Sequence, residues 1–337
     1  MKTRVLVTGA GALLGQGIMR AIRSSGKPTE IIAVDPSPLS AGLYWADGAH
    51  LIPMADSPEY MPRLREILNA ERPQVVLAGT DVELLKLARH QQELEADYDL
   101  HVLVSSPEVV SIADDKYRTF EFLKANGFPF PDTVLAEDAQ ALVERAGFPL
   151  IVKPRVGARS VGVFRVSDRA ELDDALRKSE DALVQEVAGP HDREYTAGVV
   201  CFDDVCNACI VMRRDLRDGN TYRAYVEESE DLARQVRALG EALKPHGPVN
   251  FQFRVDDRNR VKVFEINARF SGTTPLRAKA GFNEVQMCLD WLIDGVPVVQ
   301  PTIEKKIFLR HWSETVICPS DLIRSTSPVS TSETRNN

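Results

Sequence analysis

The chain has little of what marks several functional classes. Its 337 residues contain five cysteines, an odd number that suits reduced thiols rather than a disulfide framework. Cys206-Asn207-Ala208-Cys209, with Cys201 nearby, has the look of half a metal site. No second Cys pair or His pair stands at finger spacing, and Cys209 lies inside the apolar run Ala208-Cys209-Ile210-Val211, so these cysteines read as core residues. The six histidines are scattered and form no HExxH, which leaves a zinc hydrolase unsupported. Net charge is -8 and no run of Lys or Arg occurs, so neither a nucleic-acid groove nor an anionic membrane surface is indicated. No apolar stretch reaches the length of a membrane span. Met1-Lys2-Thr3-Arg4-Val5 passes straight into a strand pattern without a signal-peptide core. The expectation is a cytoplasmic protein, with no nucleic-acid or membrane partner. No segment repeats another.

What is present is an ordinary globular composition, 44% apolar and 27% charged, long enough for two or three cores. The first hundred residues alternate strand and helix. Strand-like runs are 4–8, 31–35, 74–78 and 102–104, with helical runs such as 64–70 and 82–95 between them, a pattern that predicts a parallel, doubly wound sheet. A mostly helical connection follows, stopped by Gly127-Phe128-Pro129-Phe130-Pro131. A second α/β unit spans roughly 150–186. A third block from Glu194 to about Ile317 carries long antiparallel-looking strands, with helices near 231–243 and 284–293. The predicted boundaries are 1–110, 111–190 and 191–320, and the Ser/Thr/Asn-rich end, 321–337, reads as a disordered tail.

Near the start, Val7-Thr8-Gly9-Ala10-Gly11-Ala12-Leu13-Leu14-Gly15 follows a strand and opens a helix, and Asp35 ends the next strand. That arrangement resembles a dinucleotide fingerprint, in which backbone amides approach an anion at a helix N-terminus. The spacing is GxGxxxG, however, and no Tyr-x-x-x-Lys pair follows to supply hydride chemistry. A tight strand-to-helix turn needs the same small residues, so both readings stay open, with Gly11 as a weak candidate for an anionic substrate.

The most informative stretch is a predicted hairpin. Pro248-Val249-Asn250-Phe251-Gln252-Phe253 forms one run, Asp256-Asp257-Arg258-Asn259 the turn, and Val261 to Arg269 the return. Alternation places Glu265, Asn267 and Arg269 on one face and sends Phe264 and Ile266 to the other. A carboxylate and an amide oxygen suit Mg²⁺, which keeps phosphate oxygens among its ligands, and a guanidinium grips phosphate. Upstream, in order, come Lys116 after two acids at a helix start, Lys153 at the end of Phe148-Pro149-Leu150-Ile151-Val152-Lys153, and the loop Arg155-Val156-Gly157-Ala158-Arg159-Ser160-Val161-Gly162-Val163. Such a loop can close on phosphates through its amides while Arg159 adds charge. Leu183-Val184-Gln185-Glu186-Val187-Ala188-Gly189 and Arg193-Glu194-Tyr195-Thr196 complete the series.

This order resembles the ATP-grasp superfamily, and most of all its carbamoyl-phosphate-synthase-like, single-unit carboxylate–amine ligases. Asn250-Phe251-Gln252 with Glu265-Ile266-Asn267-Ala268-Arg269 is similar to the NxQ…E[VI]NPR pattern of that group, with Ala268 where the family has Pro. The resemblance covers roughly residues 1–315. It implies an α/β ATP-grasp fold preceded by a Rossmann-like parallel-sheet domain. Neither a glutaminase nor a second ATP-grasp half is found, so a complete carbamoyl-phosphate synthetase is not expected.

By resemblance, Lys116 and Lys153 contact ATP phosphates, with Arg159 and Ser160 in the covering loop. Glu186 and the backbone of Val187 meet the adenine, and Glu194 the ribose. Gln252, Glu265 and Asn267 hold two Mg²⁺ ions, with Mn²⁺ as a substitute, and Arg269 steadies the transferred phosphoryl group. In the cation-rich stretch Met212 to Arg223, Arg213 is favoured for phosphate or carboxylate contact and Arg223 more weakly. The implied reaction phosphorylates a substrate carboxylate, releases ADP and joins the acyl group to an amine or ammonia. The resemblance leaves room for a homodimer. Two rivals remain: an NAD(P)-dependent oxidoreductase or epimerase resting on the glycine-rich loop, and a non-catalytic ATP-binding sensor.

Overall fold

Thr3–Val7 forms β1, whose inner residues Val5, Leu6 and Val7 are fully buried, as a strand covered on both faces requires. The computed structural model describes residues 2–157 and 161–323, with the backbone of 329 and 330. β2 (Thr29–Asp35), β3 (Gly48–Leu51), β4 (Val75–Leu77) and β5 (His101–Leu103) join β1 in parallel, in the order β3-β2-β1-β4-β5. Helices α1 (Leu13–Ser24), α2 (Tyr60–Glu71) and α3 (Leu84–Tyr98) alternate with these strands. Alternation divides the sheet between two cores. Val5, Val7, Ile31 and Ala33 pack with α1, whereas Leu6, Ile32 and Val34 pack with α2 and α3. The doubly wound unit anticipated from the sequence is present.

The helical connection is two helices, α4 (Pro107–Asp114) and α5 (Lys116–Ala125). They break at Asp115, whose carboxylate accepts hydrogen bonds from the backbone N–H groups of Tyr117 and Arg118 and so caps α5. The cap fixes Lys116 in the first turn of α5.

β6 (Thr133–Leu135), β7 (Leu150–Pro154), β8 (Phe164–Val166) and β9 (Ala182–Glu186) make an antiparallel sheet in the order β6-β9-β7-β8. With α6 (Ala139–Ala146) and α7 (Arg169–Arg177) it encloses a small core built from Leu142, Leu150, Val152, Leu172 and Val184. The last sheet has the order β14-β13-β10-β11-β12-β15 and is antiparallel throughout. Its strands are β10 (Glu194–Phe202), β11 (Val205–Arg217), β12 (Asn220–Val226), β13 (Gly247–Val255), β14 (Val261–Asn267) and β15 (Ile307–Leu309). α8 (Glu230–Leu243) covers one face, through Val199, Val211 and Phe251. The other face, through Val200, Phe202, Ile210 and Met212, shares one core with α1, with α9 (Thr274–Lys279) and α10 (Glu284–Asp294), and with β1 and β2. The first and last sheets are therefore joined by a common apolar slab. β16 (Val329–Ser330) pairs antiparallel with β3. Among the described residues, no helix is long and apolar enough to cross a membrane.

Candidate functional site

A cleft of about 230 Å³ lies between the small four-stranded sheet and the large antiparallel one. Ile151, Val161, Val163, Leu216 and Phe264 give it apolar walls, and Lys116, Lys153, Glu186, Glu194, Arg214, Gln252, Arg254 and Glu265 line it with charge and amide. Val187, Ala188, His191 and Gly219 complete much of the rim.

Two lysines enter from different elements. Lys116 is buried, and its Nζ donates to the carbonyl of Gly157 at 2.8 Å, which ties the first turn of α5 to the loop after β7. Lys153, near the end of β7, donates from Nζ to Gln185 Oε1 at 2.8 Å and to the Phe264 carbonyl at 3.3 Å. Burial pushes the Lys153 ammonium down to about 7, helped by the neighbouring charge of Lys116 and opposed by Glu265.

The hairpin of β13 and β14 brings Gln252 opposite Glu265 and Asn250 opposite Asn267. Gln252 Nε2 donates to Glu265 Oε1 at 2.8 Å, and Asn267 Nδ2 donates to the same oxygen at 3.0 Å. Arg269 Nη2 donates to Asn267 Oδ1 at 2.7 Å, so the three residues anticipated on one face do stand together. Arg269 also donates to both oxygens of Asp81, at 2.7 and 3.1 Å, and Asp81 comes from the turn before α3. Gln252 Oε1 accepts from Arg214 Nη2 at 2.6 Å, so a metal taking that oxygen would displace a guanidinium.

Phe264 departs from the anticipated alternation. Gln252 pairs with Glu265 and Phe253 with Val263, leaving Phe264 as the extra residue of a β-bulge. The bulge turns Phe264 into the cleft wall, where its ring lies 5.8 Å from Lys153 Nζ. Sequence alternation had sent it the other way.

Glu194 and Glu186 line the cleft, but both carboxylates are engaged. Glu194 Oε1 accepts from Arg214 and Oε2 from Arg254, making a nearly dry three-part ion cluster. Glu186 Oε1 pairs with Lys262 Nζ at 2.6 Å, and Oε2 accepts from the backbone N–H of Asp132. Arg213 stands away from the cleft. It shares the α8 face of β11 with Cys209 and Val211, pairs with Asp215 at 3.3 Å and lies over the Tyr225 ring. Its neighbour Arg214 lines the cleft, where Arg213 does not. Arg223 likewise pairs with Asp215, 3.9 Å away, outside the cleft lining. Arg159 and Ser160 lie outside the described residues.

The glycine-rich turn is packed against its own backbone. Gly9 adopts φ +55°, and a Cβ on Gly15 would come within 2.3 Å of the Gly9 carbonyl oxygen. The Gly11 amide donates to Asp35 Oδ2 at 2.7 Å, while Ser40 Oγ and the Ser37 amide donate to Oδ1. A side-chain carboxylate thus already fills the place an incoming anion would take at Gly11.

Among the described residues, no group of three or more His, Cys, Asp or Glu side chains converges as a metal cage. Cys201, Cys206 and Cys209 are buried, and burial drives the Cys209 thiol up to about 12. They belong to the core, as their apolar setting suggested. The donor set at Glu265 and Asn267, one carboxylate and one carboxamide, suits a hard divalent cation that takes its remaining ligands from phosphate and water.

Sequence reasoning missed Arg214, Arg254, His191, Asp81 and Lys262. Arg254 stands two residues after Gln252 on the same strand, a local signal that was available. Asp81 joins Arg269 across 188 positions of sequence, which no local pattern announces.

Three family models match the chain. A PylC-like N-terminal domain matches residues 5–101, a RimK-like ATP-grasp domain 113–244, and an ATP-grasp in the biosynthetic pathway with Ter operon 179–315. Among curated proteins, the carbamoyl phosphate synthase large chain of Methanosarcina mazei is 24% identical over 83% of this chain. That of Vibrio cholerae is 24% identical over 99%. The chain spans only 28% and 33% of those two proteins. Among solved structures, the N5-carboxyaminoimidazole ribonucleotide synthetase of Thermus thermophilus superposes with a TM-score of 0.70 at 19% identity, over 90% of this chain and 81% of that one. Biotin carboxylase from Campylobacter jejuni, solved with a β-γ-ATP ligand, gives 0.68 at 17% identity, over 86% and 70%. At such identities the likeness is one of fold. None of these relatives or structures is a nicotinamide-dependent oxidoreductase.

Proposed function

We propose that the chain, whose residues 113–244 and 179–315 match ATP-grasp models behind a parallel-sheet domain, is an ADP-forming carboxylate–amine ligase of the ATP-grasp superfamily. The observation that carries the reading is one cleft in which apolar walls meet two buried lysines and Glu265, from which the hydrogen-bonded Asn267 and Arg269 continue beyond the cleft lining. The walls formed by Ile151, Val163, Leu216 and Phe264 suit a purine, and the backbone at Val187 and Ala188 can meet its edge. Lys116 and Lys153 receive phosphate oxygens, and Glu265 with Asn267 holds Mg²⁺. Bound there, Mg²⁺ neutralises charge on the phosphates. Two ions, replaceable by Mn²⁺, complete the proposal, with Gln252 joining the ligands once Arg214 yields its oxygen.

The chemistry asks mainly for position and charge. A carboxylate oxygen of the substrate attacks the γ-phosphorus and ADP leaves, giving an acyl phosphate. The nitrogen of an amine or ammonia then attacks the acyl carbon, phosphate leaves and the nitrogen loses a proton. Arg269 steadies the γ-phosphoryl oxygens during transfer, after exchanging Asp81 for them. Lys116, tied to the Gly157 carbonyl, couples phosphate arrival to the backbone that follows β7.

The test is release of ADP and phosphate from Mg-ATP across a panel of carboxylic acids, with ammonia or amino acids as acceptors, run beside Glu265→Ala. Release that requires one acid and is lost in the variant supports the ligase. ATP binding without release under any acid favours a sensor, and absence of ATP binding ends the proposal.

A further inference from the structure

Glu83 is a buried carboxylate that takes no part in the proposed ligase chemistry. It lies just before α3 and is 2% exposed. Its Oε1 accepts from Thr8 Oγ1 at 2.6 Å, from Thr80 Oγ1 at 2.7 Å and from the Thr80 backbone N–H at 3.0 Å. Oε2 accepts from the Tyr60 hydroxyl at 2.6 Å. Each of these donors is neutral. Burial raises the Glu83 carboxyl above the ordinary carboxylate range, and hydrogen bonds from Thr8, Tyr60 and Thr80 oppose that rise. A carboxylate in such a setting depends wholly on donors held firmly in place.

The donors come from three places in the fold. Thr8 follows β1, Tyr60 opens α2 and Thr80 lies in the turn after β4. Thr8 Oγ1 also accepts from the Gly79 backbone N–H at 3.0 Å, so one hydroxyl joins that turn to the carboxylate. In the sheet, β2 and β3 lie to one side of β1, and β4 and β5 to the other. The turns after β1 and β4 therefore flank the point where the winding reverses, the place where open parallel sheets meet their ligands. The glycine-rich turn lets the second turn seat against it. A Cβ on Gly9 would come within 2.4 Å of Thr80 Cγ2, and one on Gly79 within 2.0 Å of the Thr8 carbonyl oxygen.

Next along the chain, Asp81 reaches across the domain junction to Arg269. Oδ1 accepts from Nε at 2.7 Å and Oδ2 from Nη2 at 3.1 Å. The Asp81 side chain is 35% exposed, so the pair is open to solvent on its carboxylate side. Resting on the ligase reading above, we propose that Glu83 is a positioning residue for the phosphate site. Through Thr80 it fixes Asp81 where both carboxylate oxygens meet Arg269, and so sets how readily that guanidinium passes to a γ-phosphate. A looser turn yields Arg269 more easily. ATP, which carries the γ-phosphate, then binds more tightly, whereas ADP does not respond.

The experiment has an arm that needs no nucleotide. Thr80→Val removes one donor to Glu83 while keeping the side chain's shape. In the full unliganded chain, exchange of the Arg269 Nε–H with water, read by arginine-selective ¹⁵N NMR, should quicken about two- to fivefold in this variant, as part of a part-exposed ion pair is lost. Glu83→Gln keeps one oxygen for Thr8 and Thr80 and turns an amide towards Tyr60, so it should stay near wild type. Glu83→Met should not, and if it fails to fold, Thr80→Val decides. Calorimetric titration with Mg²⁺ present should show ATP binding tighter by about two- to fivefold in Thr80→Val, with ADP unchanged. In an Asp81→Asn background, Thr80→Val should add nothing, because both act through one contact. A turn with a merely structural role would instead weaken ATP and ADP together, by the same factor in either background. That result overturns the proposal, as does unaltered exchange at Arg269. Quicker exchange in a protein that binds no ATP would sink the ligase reading and leave the positioning of Arg269 standing.

Discussion

Lys153 carries a pH dependence that can be read with its sign. Its folded value of about 7 lies below the ordinary 10.5, so between these limits the unfolded chain holds more protons than the folded one. This group's contribution to stability therefore rises as pH climbs from about 7 towards 10.5, and below about 7 the burial penalty stays in full. Phosphate oxygens placed beside Nζ reverse the preference and draw a proton in. ATP binding at pH 8 should accordingly take up a proton, visible as a heat of binding that changes with the ionisation enthalpy of the buffer. Lys153→Met should abolish that dependence while leaving the unliganded protein more resistant to urea; equal buffer dependence in the variant would contradict the assignment.

Single residues also show what a sequence can reveal. Glu265, Asn267 and Arg269 were legible because a strand repeats every two residues and all three lie within five positions. The choice between Arg213 and Arg214 was not. Both faces of β11 are covered, by Cys209 and Val211 on one side and Ile210 and Met212 on the other, so no contrast of polar and apolar fixes the phase. Phe264 escaped for another reason: a bulge shifts the phase by one residue without any glycine to mark it.

Elements approach one another closely where β10 passes the start of α10. A Cβ on Gly198 would come within 2.4 Å of Arg277 Nη1 and 2.8 Å of Glu284 Oε2. Those two residues form a fully buried ion pair, and Arg277 also donates to Thr196 and Asn250, which lie on the same strand face as Gln252. Gly198→Ala should therefore destabilise by about 1–3 kcal/mol, the usual cost of overpacking, read as a lower urea midpoint. ATP affinity should fall with it, because the displaced arginine pulls on Asn250, the register partner of Asn267. A variant as stable as wild type would show that the pair relaxes freely. The parallel sheet, the α5 start and the hairpin were all visible in local patterns, whereas this crossing depends on contacts between distant segments.

Across the whole molecule, Asp81 and Arg269 link the parallel-sheet domain to the proposed phosphate site. Without nucleotide, Asp81 competes for the guanidinium that the γ-phosphate would use. Asp81→Asn should tighten ATP binding by about fivefold, the value of ~1 kcal/mol for a part-exposed ion pair, and leave ADP binding unchanged. Calorimetric titration checks it, and weaker binding in the variant would make Asp81 a positioning residue instead.

The small sheet of β6 to β9 keeps an apolar core that it shares with neither of the other sheets, while the first and last sheets are fused through one slab. In the language of amide exchange, the protein should behave as two cooperative units of unequal strength. Amides of β7 and β9 should exchange by a sub-global opening that leaves β1 and β10 protected, and Mg-ATP should slow the first set far more than the second. Opening of that unit would then set the pace at which nucleotide enters and leaves, independently of how firmly the rest of the chain is folded.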